Sequence, residues 1–545
     1  MMPPGTATST RRATGRPHRV GQAAVGLVMA CLGCAAPSRP PGTAVMASGT
    51  DLESGNPLVT VHPLSRQVQR HALFVTLVRL DPALQPVPYF ARAWVWRDDH
   101  RAVTFHLDST VRWHDGTPTT AEDVAFTFAA AADSALGSPR RGDVAVVSQV
   151  QVLDRHTVRL AFSEARATLP PILAELPLVP RHLLDTVPRS RWRSHPFATA
   201  PVGNGPFRFA ARTAGRQWRF VRNADFPMAL GGPPQLEQLV VAVVDEAATK
   251  FAGLVSGELD LAGVSPTMAP LVRRDPALEL LTPPALFSTV LAFNTTRAPF
   301  DDVRVRRAFS LAIDRQRVVA AAVAGFGTPA TSAIPPGLPV TPAAGSRIAP
   351  AQREAARHEA DRLLDAAGWT RSSARRVRMR AGTPLRVTLL TVGSGEMAIE
   401  QLVQADLAER GIEVTIRVLE LATLLATVRR VDKDYDLVLT GIPGDVALGH
   451  LSALFASTQR GGALDYTGFH APALDSALAR ARDAAPSEAR DAWGAVDRQL
   501  ALDMPVAWLY HARGVQARAR RLANVDMDLR GELVSVARWV RRDSW

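Results

Sequence analysis

Three sets of residues in this chain have the types and spacing to do chemistry. The first is Cys31 and Cys34, the only two cysteines, in "LVMACLGCAAPSRP". A Cys-x-x-Cys pair can be a redox site beside a βαβ pattern, or half of a zinc site with a second ligand pair. Neither context surrounds it. The second is "WHDGTP", where His114 and Asp115 join an imidazole to a carboxylate, with His100 and His106 close by. A nucleophile triad needs a serine or cysteine as well, and no Gly-x-Ser-x-Gly occurs. Asp-Gly makes a tight turn and "TAEDV" caps the next helix, so a structural role is expected here. The third is the pair of lysines, Lys250 and Lys433. Neither follows a glycine, which excludes a phosphate-binding P-loop.

The surroundings of the cysteines suggest an address. Arg11, Arg12, Arg16 and Arg19 precede the uncharged run "VGQAAVGLVMA", which ends in small residues. Basic, apolar and small-residue regions in that order make a secretory signal. The run is about half of the ~20 residues that span a bilayer as a helix. "VMAC" is similar to a bacterial lipobox, so Cys31 is the expected lipidation site, with Cys34 the alternative. Residues 1–30 are then a signal peptide, and any membrane attachment is through lipid.

The formal net charge is +12, of which the four leader arginines supply a third. A nucleic-acid surface would need basic residues gathered with aromatics on one face. The one dense basic run, "RSSARRVRMR" at 371–380, falls in an expected hairpin loop, so no nucleic-acid partner is expected.

The elements that position these residues follow from composition and period. Residues 31–57, rich in Pro, Gly, Ser and Thr, predict a flexible tether. "ALFVTLVRL" (72–80) predicts a helical turn or short helix. "WVWRDDHRAVTFHL" (94–107) and "QVLDRHTVRLAF" (151–162) predict hairpins, and "TAEDVAFTFAAAAD" (120–133) a Thr-capped helix. From 385 to 442 the pattern alternates strand, helix, strand, helix, strand, which predicts a βαβαβ unit on a parallel sheet. Gly411 is placed to end its first helix. A hairpin-rich first half and a parallel α/β second half predict two unlike lobes.

Against that background, "PYFARAWVWRDDHRAVTFHLDSTVRWHDGTPTTAEDVAFTF" (88–128) closely resembles the signature segment of the extracellular solute-binding proteins of family 5. These are peptide-, dipeptide- and nickel-binding receptors of ABC importers. "PVGNGPFRF" (201–209), "VSGELDLAG" (255–263), "LAFNTTRAPFDDVRVRRAFSLAIDRQRVV" (291–319), "GTPATSAIPP" (327–336), "ADRLLDAAGW" (360–369) and "GFHAPALDSALARA" (468–481) match further landmarks in order. The resemblance implies an α/β clamshell of two lobes joined by two strands. Lobe I would be 58–285, with an inserted subdomain at about 90–200 and a return at 505–545. Lobe II would be 286–504.

It also implies a monomer that binds a small solute, an oligopeptide or dipeptide, and delivers it to an ABC permease outside the cytoplasm, with no catalysis and no cofactor. A ligand sensor or periplasmic chaperone on the same scaffold is the alternative reading, and a hydrolase with a scattered Ser–His pair a more distant one. Cleft residues are implied near Phe74, in the loop after "DYDLVLT", and near Phe469. In peptide-binding members that loop carries a Trp and an aspartate that holds the ligand's ammonium group. Here Thr440 stands in place of the Trp. The nearest acid, Asp445 after Gly444, is shifted by about two positions. The site expectation is therefore Phe74, Thr440, Gly444, Asp445 and Phe469.

Overall fold

The computed structural model describes residues 39–60, 62–341, 350–371, 376–393, 397–430, 432–462, 464–485 and 487–542. Pro41–Trp545 forms one unit, to which every element named below belongs. The expected leader, Cys31 and Cys34 fall outside the described residues.

The segment expected as a tether contributes a central strand. Thr43–Ser48 pairs in parallel with Gln238–Val243 on one side and with Leu261–Gly263 on the other. It lies inside a seven-stranded sheet that also holds Phe207–Thr213, Gln217–Arg222, Leu278–Leu281 and Gln516–Ala519. A strand flanked on both edges and buried on both faces shows no polar–apolar alternation. "TAVMAS", set among prolines and glycines, therefore carried no periodic signal. Residues beyond it are fixed too: the Asp51 carboxylate accepts hydrogen bonds from Trp218 Nε1 at 2.7 Å and Arg212 Nη2 at 2.9 Å.

A four-stranded antiparallel sheet holds both predicted hairpins, Ala91–Trp96 with Ala102–Leu107 and Val147–Asp154 with Thr157–Phe162. The helix Ala121–Ala132 starts at Thr120 with a reciprocal capping box to Asp123, as the acidic first turn predicts. Of the helical turn or short helix expected at 72–80, only residues 72–73 lie in a turn, and the chain beyond them is not helical. Helix Pro63–Val68 runs into a wider turn, Gln69–Leu73, after which Phe74 is extended and Val78–Leu80 is a strand paired with Pro86–Pro88. A short apolar run does not distinguish a buried strand from a helix.

The βαβαβ unit is present. Arg386–Thr391 pairs in parallel with Glu413–Val418 and Leu437–Pro443, with helices Ala398–Glu409 and Leu421–Val428 between them. Gly411, at φ 77°, follows the end of the first helix. Pro284–Phe293, Val506–Arg513 and Gly327–Pro329 complete a six-stranded sheet. Alternate residues of Pro284–Phe293 enter opposite cores, Leu291 and Phe293 on one face, Val290 and Ala292 on the other. This sheet is the centre of lobe II, and the seven-stranded and four-stranded sheets build lobe I.

The chain crosses between the seven-stranded and six-stranded sheets at 282–283 and at 514–515. The two crossings hold each other: the Gly514 N–H donates to Pro283 O at 2.8 Å and Arg513 Nη2 to Thr282 O at 2.8 Å. A Cβ on Gly514 would stand 2.9 Å from Pro283 Cγ.

Candidate functional site

Between the lobes lies a cavity of about 650 Å³. Lobe I contributes the Val78–Pro88 hairpin and the loop Arg166–Pro171; lobe II contributes Pro339–Val340, Val446–Leu448 and the ends of helices Pro472–Asp483 and Ala489–Asp503. Its walls mix apolar side chains with polar ones, Gln85, Thr168 and Asp491 among them. Leu84, at the hairpin tip, packs against the lobe II core and has a left-handed backbone, φ 61°. That conformation is costly for a side chain of this kind and is found where surrounding structure imposes it. Opposite stands Trp493, buried on helix Ala489–Asp503.

Deeper in lobe I, three guanidinium groups surround Glu175. Arg66 Nη2 lies 2.6 Å from its carboxylate, Arg140 Nη2 3.3 Å and Arg70 Nη1 3.8 Å. Burial opposes ionisation of Glu175, but the three arginines outweigh it and hold its pKa below the ordinary value. The charge of Asp445 in lobe II reaches both Glu175 and Asp143, disfavouring their ionisation. A second cavity, about 390 Å³, is walled by lobe I alone, with Arg70, Arg79, Tyr89 and Arg530 among its lining.

The five residues expected at the site are dispersed. Phe74 is fully buried, its ring 6.1 Å from that of Phe197, and belongs to the lobe I core. Thr440 lies opposite Val290 within the six-stranded sheet. The Gly444 N–H donates to Leu286 O at 2.8 Å. Phe469 is half-buried against the lobe II core, with the Arg306 guanidinium 5.9 Å from its ring. None of the five lines the 650 Å³ cavity, but the residues directly after Asp445, Val446 to Leu448, do. The loop after the strand thus borders the cavity through residues further along it than those expected. The hairpin tip, the loop at 166–171 and Trp493 carry no chemical signature in the sequence, being apolar residues, prolines and isolated polar residues.

Asp445 serves the loop itself. Its Oδ1 accepts the Ala447 and Gly449 N–H groups at 2.9 and 3.0 Å, and its Oδ2 accepts the His450 N–H at 2.9 Å. The last two are orphan donors of helix Gly449–Phe455. Burial raises its pKa, but His450 and these donors prevail and leave it below the ordinary value. A depressed carboxylate pKa contributes stability above the unfolded pKa, and the contribution is lost as pH falls through the folded one. Asp445→Ala should cost about 1–2 kcal/mol, read as a lower urea midpoint, and the deficit should shrink below pH 4.

His114 has a structural role. His114 Nδ1 accepts the Gly203 N–H at 3.1 Å and its Nε2 meets Gly205 O at 3.0 Å. Burial drives its pKa down to about 4, so the ring is neutral at pH 7. Ser288 Oγ lies 2.8 Å from His511 Nδ1, the pairing that a hydrolase would need. Both are cross-strand neighbours, 3% exposed, and neither lines the interlobe cavity. Among the described residues no group of three or more His, Cys, Asp or Glu could hold a metal ion.

The model of the bacterial extracellular solute-binding proteins, family 5 (middle), matches residues 85–461. The chain belongs to that family. It is a solute-binding protein whose two lobes enclose a cleft. Among similar proteins, one of Brucella ovis assigned as an ABC transporter peptide-binding protein is 26% identical over 402 residues, 71% of each chain. The nickel-binding periplasmic protein of Escherichia coli is 25% identical over 357 residues, 63% of this chain and 65% of that one. Two solved structures share the fold. The oligopeptide-binding protein AppA of Bacillus subtilis, in complex with a nonapeptide, superposes with a TM-score of 0.74 at 22% identity, covering 92% of this chain and 99% of that one. NikA of Brucella suis, in complex with Fe(III)-EDTA, gives 0.79 at 19% identity, covering 92% and 100%. In this solute-binding protein the cavity lies between the lobes, with the paired crossings at 282–283 and 514–515 joining them.

Proposed function

We propose that this solute-binding protein captures a short peptide between its lobes and delivers it to an ABC permease. The interlobe cavity carries the reading. Its volume falls within the ~300–1,000 Å³ of small-molecule clefts, and it draws walls from both lobes, so a bound solute favours the closed state over the open one. The permease would read closure, with the paired crossings acting as the hinge. The Brucella relative assigned as a peptide-binding protein supports a peptide as the solute. The protein acts as a monomer outside the cytoplasm, held at the membrane by a lipid on Cys31.

Native mass spectrometry of the protein purified from its own host, before and after unfolding and refolding, tests the solute. A series of peptide masses that disappears on refolding and returns with a peptide mixture is the expected result. A single non-peptide mass would overturn the peptide reading. For the anchor, labelled palmitate should enter the wild type and Cys34→Ser and fail to enter Cys31→Ser; label retained in Cys31→Ser would remove that assignment.

A further inference from the structure

We infer that the second cavity, walled by lobe I alone, is a separate anion site that takes a small phosphate-bearing molecule on Arg79 and Tyr89. It lies apart from the solute site: of its lining, only Leu80 and Ala174 also border the interlobe cavity.

Strand alternation sets Arg79 there. Along Val78–Leu80 successive side chains point to opposite faces, and Val78 borders the interlobe cavity while Arg79, which is exposed, borders the other. Its guanidinium stands 5.2 Å from the centre of the Tyr89 ring, just beyond the paired strand Pro86–Pro88. Among the described residues neither the Arg79 guanidinium nor the Tyr89 hydroxyl has a hydrogen-bond or ion-pair partner. Burial pushes the Tyr89 phenol up to about 12, so it keeps its proton as a donor. Two sets of free donors therefore stand side by side at the cavity.

The rest of the wall is cationic and already held in place. Arg70, Arg530 and Arg538 line the cavity too, against one carboxylate, Asp81, which accepts the Gln85 N–H at 2.8 Å and closes the hairpin. Arg530 Nη1 donates to Leu80 O at 3.0 Å and its Nη2 lies 2.6 Å from Asp528. Arg70 Nε donates to His71 Nε2 at 3.1 Å, and Arg538 is paired with Asp526 at 3.0 Å. Arg79 is the cation left for a ligand. Burial, then the fields of Arg70 and Arg530, hold His71 well below its ordinary pKa, which marks the cavity as positive. An anion relieves that repulsion, and a phosphate accepts the forked donors of a guanidinium. At about 390 Å³ the cavity has room for a phosphate with a short organic substituent.

Calorimetric titration of the refolded, solute-free protein with glycerol 3-phosphate, dihexanoyl phosphatidylglycerol and glycerol tests this. At least one of the two phosphates should bind, and glycerol should not. Arg79→Gln should weaken the phosphate about tenfold or more and Tyr89→Phe about threefold. Arg79 makes no hydrogen bond, so its variant should keep the wild-type urea midpoint. Arg219→Gln, the same charge change at an exposed arginine outside both cavities, should leave the affinity unchanged. Binding of glycerol 3-phosphate assigns the anion to a free phosphate ester; binding of the lipid alone assigns it to a headgroup. No binding of either phosphate would overturn the inference. So would an affinity in Arg79→Gln no lower than in Arg219→Gln, or displacement of the phosphate by the host-derived solute.

Discussion

Gly203→Ala should destabilise the protein by about 3 kcal/mol or more, although it adds one methyl group. The loop "PVGNGPF" lies directly on the backbone of residues 72–75. Asn204 and Gly205 both donate their N–H to Leu73 O, at 3.1 and 2.9 Å, and the Asn204 side chain accepts the Val75 N–H at 2.9 Å. A Cβ on Gly203 would sit 1.9 Å from Leu73 O and 2.9 Å from His114 Cε1. One on Gly205 would sit 2.6 Å from Leu73 C. Backbone cannot yield as a flexible side chain can, so the loop must lift and break its hydrogen bonds. Urea unfolding followed by tryptophan fluorescence measures the loss. Gly142→Ala, where a Cβ meets nothing within 4 Å, is the control and should change the midpoint little. Equal midpoints for Gly203→Ala and the control would contradict the packing described.

Removing the carboxylate at Glu175 should be as severe. Its side chain is 13% exposed and those of Arg140 and Arg70 are 8% and 17%. Glu175→Ala leaves guanidinium groups buried without their partner, and breaking a buried pair from one side costs about 3–5 kcal/mol. Arg66, at 36% exposure, can turn to water and contributes less. The pH dependence follows from the depressed pKa of Glu175. Its contribution is complete above the unfolded carboxylate pKa and is lost as pH falls through the lower folded value. Wild type and Glu175→Ala should therefore differ most at neutral pH and converge in acid. A constant gap from pH 7 to pH 3 would show that packing, not charge, sets the loss.

The periodic elements were legible in the sequence because period and position agree in them. The βαβαβ unit at 386–443 and both hairpins of the four-stranded sheet were read from apolar alternation alone. Elements whose form is imposed by neighbours were not. Thr43–Ser48 is a strand because two others clasp it, and Phe74 is extended because its N–H returns to Gln69 O while the Asn204 side chain takes the N–H of Val75. The site divides the same way. The loop at 440–448 drew notice through a departure in pattern, yet Asp445 proved to be bound to its own helix. Leu84 and Trp493 line the cavity as ordinary apolar residues, which the sequence does not single out.

Hydrogen exchange with and without the host-derived solute tests most directly whether that solute sits between the lobes. Slower exchange is predicted in 78–86, 166–174, 446–448, 481–485 and 487–493, the segments that wall the 650 Å³ cavity from both sides. Protection confined to 226–232 and 530–538, around the second cavity of lobe I, would place the solute in one lobe and contradict the account.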